Sequence, residues 1–225
     1  MIRDKPLEIG ETYHVYNRGA HKNLIFRSNK DYERLLLILF LANSIAPVDT
    51  RALLSRYKGR TFADIMDLEV RGKPLVSIMA WTLMPNHFHF VLRQEEDQGI
   101  TRFMRKVVTA YTMYFNAKHA HSGVLFQGRF KSRHVGTNPY FRYIFSYVHL
   151  NPVSLIEPLW EEKGIEDPDA VRKFLATYPY SSFYDYSVGE RQWRQLIAYN
   201  QAPDFMKEQN DLEELLNFLR NATDE

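Results

Sequence analysis

The sequence predicts an α+β fold: a ferredoxin-like, split βαβ antiparallel sheet with helices packed on one face, followed by a helical C-terminal extension. Three observations predict it. The 225-residue chain is 45% hydrophobic and 25% charged, the balance of a globular protein with a full core. Apolar runs of β-branched and aromatic character alternate with runs of helical period. Their order is strand, helix, strand, strand, helix, strand, helix, which is that of the split βαβ unit.

Tyr13 to Arg18 is a short aromatic and β-branched run closed by Gly19, a first strand. Asn29 opens a helix whose Leu35, Leu36, Leu39 and Phe40 recur at helical spacing, with Pro47 limiting its reach. Residues 48 to 73 are a mixed, charged connection with helical potential around Phe62 to Leu68. Leu75 to Trp81 and His87 to Arg93 are β-prone, and Pro85-Asn86 between them predicts an antiparallel pair with a tight turn. Ile100 to His119 is a long helix with Phe103, Val107, Ala110, Tyr111 and Tyr114 on one stripe. A strand near Lys131 to Val135 follows, then a helix from Pro139 to Leu150, stopped by Pro152. Residues 1–160 make the expected principal domain. Residues 161–225 make an acidic, mostly helical extension, helical over Asp211 to Leu219.

The composition excludes several classes. With no cysteine there are no disulfides, thiolate zinc sites or cysteine nucleophiles, and a cytoplasmic, nucleoid-associated location is expected. Met1 to Gly19 carries Arg3, Asp4, Lys5, Glu8 and Glu11 and no apolar run, so neither a signal peptide nor a membrane anchor is expected there. The apolar stretch Leu35 to Ile45 is too short to span a bilayer. Net charge is only +2, but it is unevenly placed: Gln98 to Ile156 holds eight basic residues and no carboxylate, whereas Glu157 to Glu225 has a net charge of −8. A stretch that excludes carboxylates so fully is a candidate polyanion footprint, since each cation near a phosphate gains from counterion release. A solvated basic face is the plainer alternative.

His87 and His89, two apart in a strand, project to one face, with Phe88, Phe90 and Leu92 on the other. That geometry suits a divalent cation, although two such histidines can also be ordinary sheet residues, and two ligands do not hold a metal. Asn151 is a candidate third ligand. It stands four residues after Tyr147, so the amide and the phenol share a helix face. A phenol with pKa about 10 is a weak nucleophile at neutral pH unless a cation polarises its target or a base takes its proton. Tyr143, one turn earlier, is the rival nucleophile, and most of the 14 tyrosines must simply pack. No HExxH occurs.

Met84-Pro-Asn-His-Phe-His-Phe-Val-Leu92, Leu125-Phe-Gln-Gly-Arg-Phe-Lys131 and Tyr147-Val-His-Leu-Asn-Pro-Val153 together resemble the HUH single-tyrosine transposases, and within them the REP-associated tyrosine transposases. The opening Tyr13-His-Val-Tyr-Asn-Arg-Gly19 with Ile25-Phe26 agrees, and the resemblance spans roughly residues 8 to 160. It implies a metal-dependent endonuclease and strand transferase that acts on single-stranded or hairpin DNA. The expected intermediate is a 5′-phosphotyrosine, with a free 3′-OH. It puts the HUH histidines at His87 and His89, the nucleophile at Tyr147 and the helical metal ligand at Asn151, with Mg²⁺ or Mn²⁺ as the cation. Tyr143 has no role in that pattern. Residues 48 to 73 look longer than in compact members, and the acidic extension matches no family part.

Arg129, Lys131 and Arg133 are the expected backbone contacts, with Arg102, Arg105 and Lys106 a further basic patch. Phe126 and Phe130 are candidates to stack unpaired bases, with core packing as the alternative. His149 lies about 200° around the helix from Tyr147 and is expected to be structural. Two other readings stay open: a metal nuclease in which water attacks, and a domesticated DNA- or RNA-binding protein. DNA is the expected partner, no membrane is, and a homodimer stays open.

Overall fold

The computed structural model describes residues 6–47, 52, 60, 64–65, 72–207 and 212–221. Four antiparallel strands, β1 (Thr12–Arg18), β2 (Val76–Met84), β3 (His87–Gln94) and β4 (Lys131–His134), form one sheet in the order β2-β3-β1-β4. With α1 (Asn29–Ala42) after β1 and α2 (Gly99–His119) after β3, this is the ferredoxin-like topology that the sequence predicts. β2 runs three residues past Trp81, because its pairing with β3 continues to Met84↔His87, and this leaves Pro85-Asn86 as the turn. The helical potential around Phe62 to Leu68 lies outside the described residues except at Asp64 and Ile65.

The expectation of helices on one face needs correction. Phe88 and Phe90 look toward α1 and α2, where Phe88 meets Phe126 and Phe126 meets Tyr111. α3 (Asn138–Leu150) lies across the opposite face, over His87 and His89. A helix after the last strand can settle on either side of a sheet, and its own period does not say which. The nearly continuous apolar run of β2, interrupted only by Ser77 and Thr82, was the available sign, since such a strand has both faces covered, and all nine of its residues are buried.

The segment after residue 160 closes the β2 edge. Leu83 N–H donates to the Tyr180 carbonyl, Ser182 N–H to that of Trp81 and Ala198 N–H to that of Ile78, each at 2.8 Å. Tyr178 and Tyr186 add hydroxyl bonds to the Leu83 and Met79 carbonyls. An edge strand left open would be a template for aggregation, so this cover serves the sheet directly. Short helices α4 (Trp160–Lys163), α5 (Pro168–Thr177), α6 (Phe183–Ser187) and α7 (Asp204–Lys207) lead to α8 (Leu212–Asn221), which packs on α3. There Arg142 lies 4.5 Å from the Phe205 ring and 4.9 Å from that of Phe218. Trp160, Val171, Leu175, Phe183 and Leu215 belong to the same core as the sheet.

Candidate active site

The β2–β3 turn is pinned from outside. Gly19 N–H donates to the Asn86 carbonyl, Ile25 and Phe26 N–H to that of Pro85, and Asn86 Nδ2 to the Lys22 carbonyl at 3.1 Å. Gly19 is required there, because a Cβ would collide with the Asn23 carbonyl. The Nδ2 bond fixes the Asn86 amide so that its Oδ1 faces His87 Nδ1 at 2.6 Å. An amide oxygen only accepts, so His87 is Nδ1–H and its Nε2 carries a lone pair.

That lone pair faces Asn151 Oδ1 at 3.0 Å. The chain stays helical through Asn151 (φ −51°, ψ −38°), whose N–H donates to the Tyr147 carbonyl, and then tightens into a 3₁₀ turn, Asn151–Leu155, that tolerates Pro152. Tyr147 and Asn151 therefore share one helix face, and the Asn151 amide also hydrogen-bonds the Tyr147 phenol. The Tyr147 ring meets His89 edge-on, with centroids 5.4 Å apart, and His87 and His89 stand perpendicular at 5.1 Å. His87, His89, Tyr147 and Asn151 thus meet on one side of the sheet. Burial lowers the pKa of both histidines; at His87 the Asn151 contact opposes this and the Arg18 charge adds to it, and at His89 His14, His87 and Arg18 add to it. Both are neutral at physiological pH. Burial raises the Tyr147 phenol, reinforced by Glu161 and Tyr143, while the Asn151 bond opposes the rise.

Two neutral acceptors 3.0 Å apart, beside a second neutral imidazole, repel unless a proton or a cation lies between them. The imidazoles resist protonation, so the donor set fits a cation. Among the described residues no three His, Cys, Asp or Glu side chains form a metal-binding group, so the amide is the available third donor.

The pairing register adds residues that the sequence pattern alone did not single out. Tyr16↔His89 and Arg18↔His87 place Tyr16, Arg18 and, by alternation, His14 on the histidine face. His14 Nε2 is 2.8 Å from His89 Nδ1, and Tyr16 stacks on His89 with centroids 5.7 Å apart. The strict alternation of Tyr13-His14-Val15-Tyr16 was the signal that could have found them. Tyr143 and Tyr147 are stacked at 6.2 Å, and Tyr140 continues the row.

The basic residues divide. Arg133↔His14 and Lys131↔Tyr16 put both side chains on the histidine face, where Arg133 lies 4.7 Å from the Tyr140 ring. Arg129 is exposed just before β4. Arg102, Arg105 and Lys106 stand on α2, across the sheet from the site. Lys106 donates to the Ser44 and Ala46 carbonyls and Arg102 to that of Ile45, so these two hold the turn after α1. Phe126 is not placed to stack a base: it is 5% exposed, inside the core against Phe88 and Tyr111. Its backbone bridges to Gly19 at the end of β1, and its ring lies on the α1–α2 side of the sheet with Phe88. Phe130 is half-buried against the core. His149 is buried on the far side of α3, with Nε2 at 2.7 Å from Ser182 Oγ.

No helix among the described residues is long and apolar enough to cross a membrane. None of the curated proteins compared with the chain matches it. Among solved structures, a REP-associated tyrosine transposase bound to a REP hairpin aligns over 95% of this chain and 96% of its own, at 13% identity and a TM-score of 0.48. The tRNA(His) guanylyltransferase of Saccharomyces cerevisiae aligns over 93% and 91%, at 10% identity and a TM-score of 0.37. Both likenesses are distant. Residues 56–151 match the family described as "Transposase IS200 like". That span is under half of the chain, and it contains His87, His89, Tyr147 and Asn151.

Proposed function

We propose that this protein cuts and rejoins single-stranded, hairpin-containing DNA, with Tyr147 as nucleophile and His87, His89 and Asn151 as ligands of a divalent cation. One observation carries the reading: a phenol that cannot ionise easily stands beside a neutral set of two imidazoles and an amide oxygen. The two nitrogens tilt the choice toward Mn²⁺ over Mg²⁺, which prefers an all-oxygen shell. A cation bound there supplies Lewis-acid polarisation of the phosphate and lowers the charge barrier to attack.

The chain's own residues do the rest. Asn151 holds the Tyr147 hydroxyl one helical turn from itself, so ligand and nucleophile keep a fixed separation. The phenolic oxygen attacks phosphorus and its proton passes to solvent. The P–O3′ bond breaks, and the departing 3′ oxygen takes up a proton. A 5′-phosphotyrosine and a free 3′-OH result, and the reverse attack by a 3′-OH rejoins the strand without ATP. Lys131, Arg133 and Arg129 neutralise the flanking phosphates.

The test is a labelled hairpin oligonucleotide on a denaturing gel, with wild type, Tyr143→Phe and Tyr147→Phe. A covalent 5′ adduct in the first two and none in the third is expected. Cleavage without adduct in every lane would establish attack by water, and an adduct lost only in Tyr143→Phe would move the nucleophile one turn, roughly 6 Å along the axis.

A further inference from the structure

The geometry points to His14 as a positioning residue that holds His89 in its Nδ1–H tautomer, so that the His89 Nε2 lone pair is the one presented to a cation. This rests on the cation site proposed above. His14 and His89 are 6% and 7% exposed, and their facing nitrogens, Nε2 of His14 and Nδ1 of His89, are 2.8 Å apart. The two ring planes differ by only 15°, which keeps the shared hydrogen close to the plane of both lone-pair directions.

Two neutral imidazoles can share that hydrogen in two ways. If His14 donates, His89 accepts at Nδ1, must carry its own hydrogen on Nε2, and has no lone pair left for a metal. If His89 donates from Nδ1, its Nε2 is free and His14 carries its hydrogen on Nδ1. Only the second arrangement makes His89 a ligand. His87 shows the same device without ambiguity, because Asn86 Oδ1 can only accept from its Nδ1–H. Each histidine of the pair then has its own Nδ1 acceptor: the turn asparagine for His87, and a first-strand histidine for His89. His14 reaches that place because β1 lies next to β3 and the alternation of β1 turns His14 to the site face.

The experiment compares wild type with His14→Phe, which keeps a ring but has no acceptor, and His14→Glu, whose carboxylate only accepts. Nitrogen-15 spectra of the imidazoles, recorded without metal, report the His89 tautomer, and Mn²⁺ titration reports affinity. Wild type and His14→Glu are expected to show His89 as Nδ1–H. His14→Phe is expected to gain the Nε2–H form and to bind Mn²⁺ about 10- to 100-fold more weakly, the usual effect of losing a partner of a metal-binding histidine. His89 as Nε2–H in the wild type, or full Mn²⁺ affinity in a folded His14→Phe protein, would overturn the assignment. If His14→Phe does not fold, the wild-type tautomer and the His14→Glu affinity decide. Nδ1–H in a wild type that binds no Mn²⁺ would overturn the cation reading and leave the hold of His14 on His89 standing.

Discussion

His149 shows how much one buried side chain sets the acid limit of the molecule. It is 1% exposed, its Nδ1 has no hydrogen-bond partner, and burial alone drives its pKa from 6.5 down to about 3. The unfolded chain takes up a proton near pH 6.5 that the folded one refuses until about pH 3, so stability is complete above pH 6.5 and is lost as pH falls through that window. His14, lowered to about 4 by burial and the Arg133 charge, acts in the same sense. Urea titrations at a series of pH values between about 4 and 7 should give a flatter dependence of stability on pH for His149→Gln than for wild type. An unchanged dependence would mean that His149 takes up its proton over the same pH range in the folded and the unfolded protein. In the sequence, helix angle alone separates His149 from Tyr147 and places it on the structural side.

At the scale of elements, α1 and α2 are tied by one carboxylate. Asp31, fully buried, accepts from Lys118 Nζ at 2.7 Å, Arg27 N–H at 2.8 Å, Tyr114 hydroxyl at 3.0 Å and His119 Nε2 at 3.1 Å. Burial alone would raise its pKa, but these donors outweigh it and hold it well below the usual carboxylate range. Asp31→Asn removes the charge and turns one acceptor into a donor that faces other donors. It should cost roughly 1–3 kcal/mol. Chemical denaturation measures this, and the difference from wild type should vanish at a pH low enough to protonate Asp31. A helix start at Asn29 was readable from its sequence. Three of the four donors that meet Asp31 were not, since Tyr114, Lys118 and His119 stand on a helix more than 80 residues away.

Across the whole molecule, the eight cations of residues 98 to 156 are continuous in sequence and divided in space. Lys131 and Arg133 share the histidine face, whereas Lys106 and Arg102 are engaged by carbonyls behind the sheet. Lys131→Gln with Arg133→Gln should therefore weaken binding to a hairpin oligonucleotide and lower the salt slope by about one for each phosphate no longer neutralised. Lys106→Gln should leave that slope intact and lower the melting temperature instead. A salt slope that responds equally to both substitutions would put the DNA on both faces.

What the sequence by itself determined was local: strand alternation, helix period, the turn at Pro85-Asn86, and the coincidence of Tyr147 with Asn151 on one helix face. These follow from spacings of two to four residues, which backbone geometry converts directly into shared faces. The proposed ligands and nucleophile were legible for that reason. Tertiary structure alone decided the rest. It put α3 across the sheet from α1 and α2, drew residues 178 to 198 along the β2 edge, buried Phe126 and brought His14 to His89 across 75 residues of chain. Each of these depends on which strands become neighbours and which face a helix covers. Those choices are made by burying apolar surface over the whole core, and no short stretch of sequence encodes them.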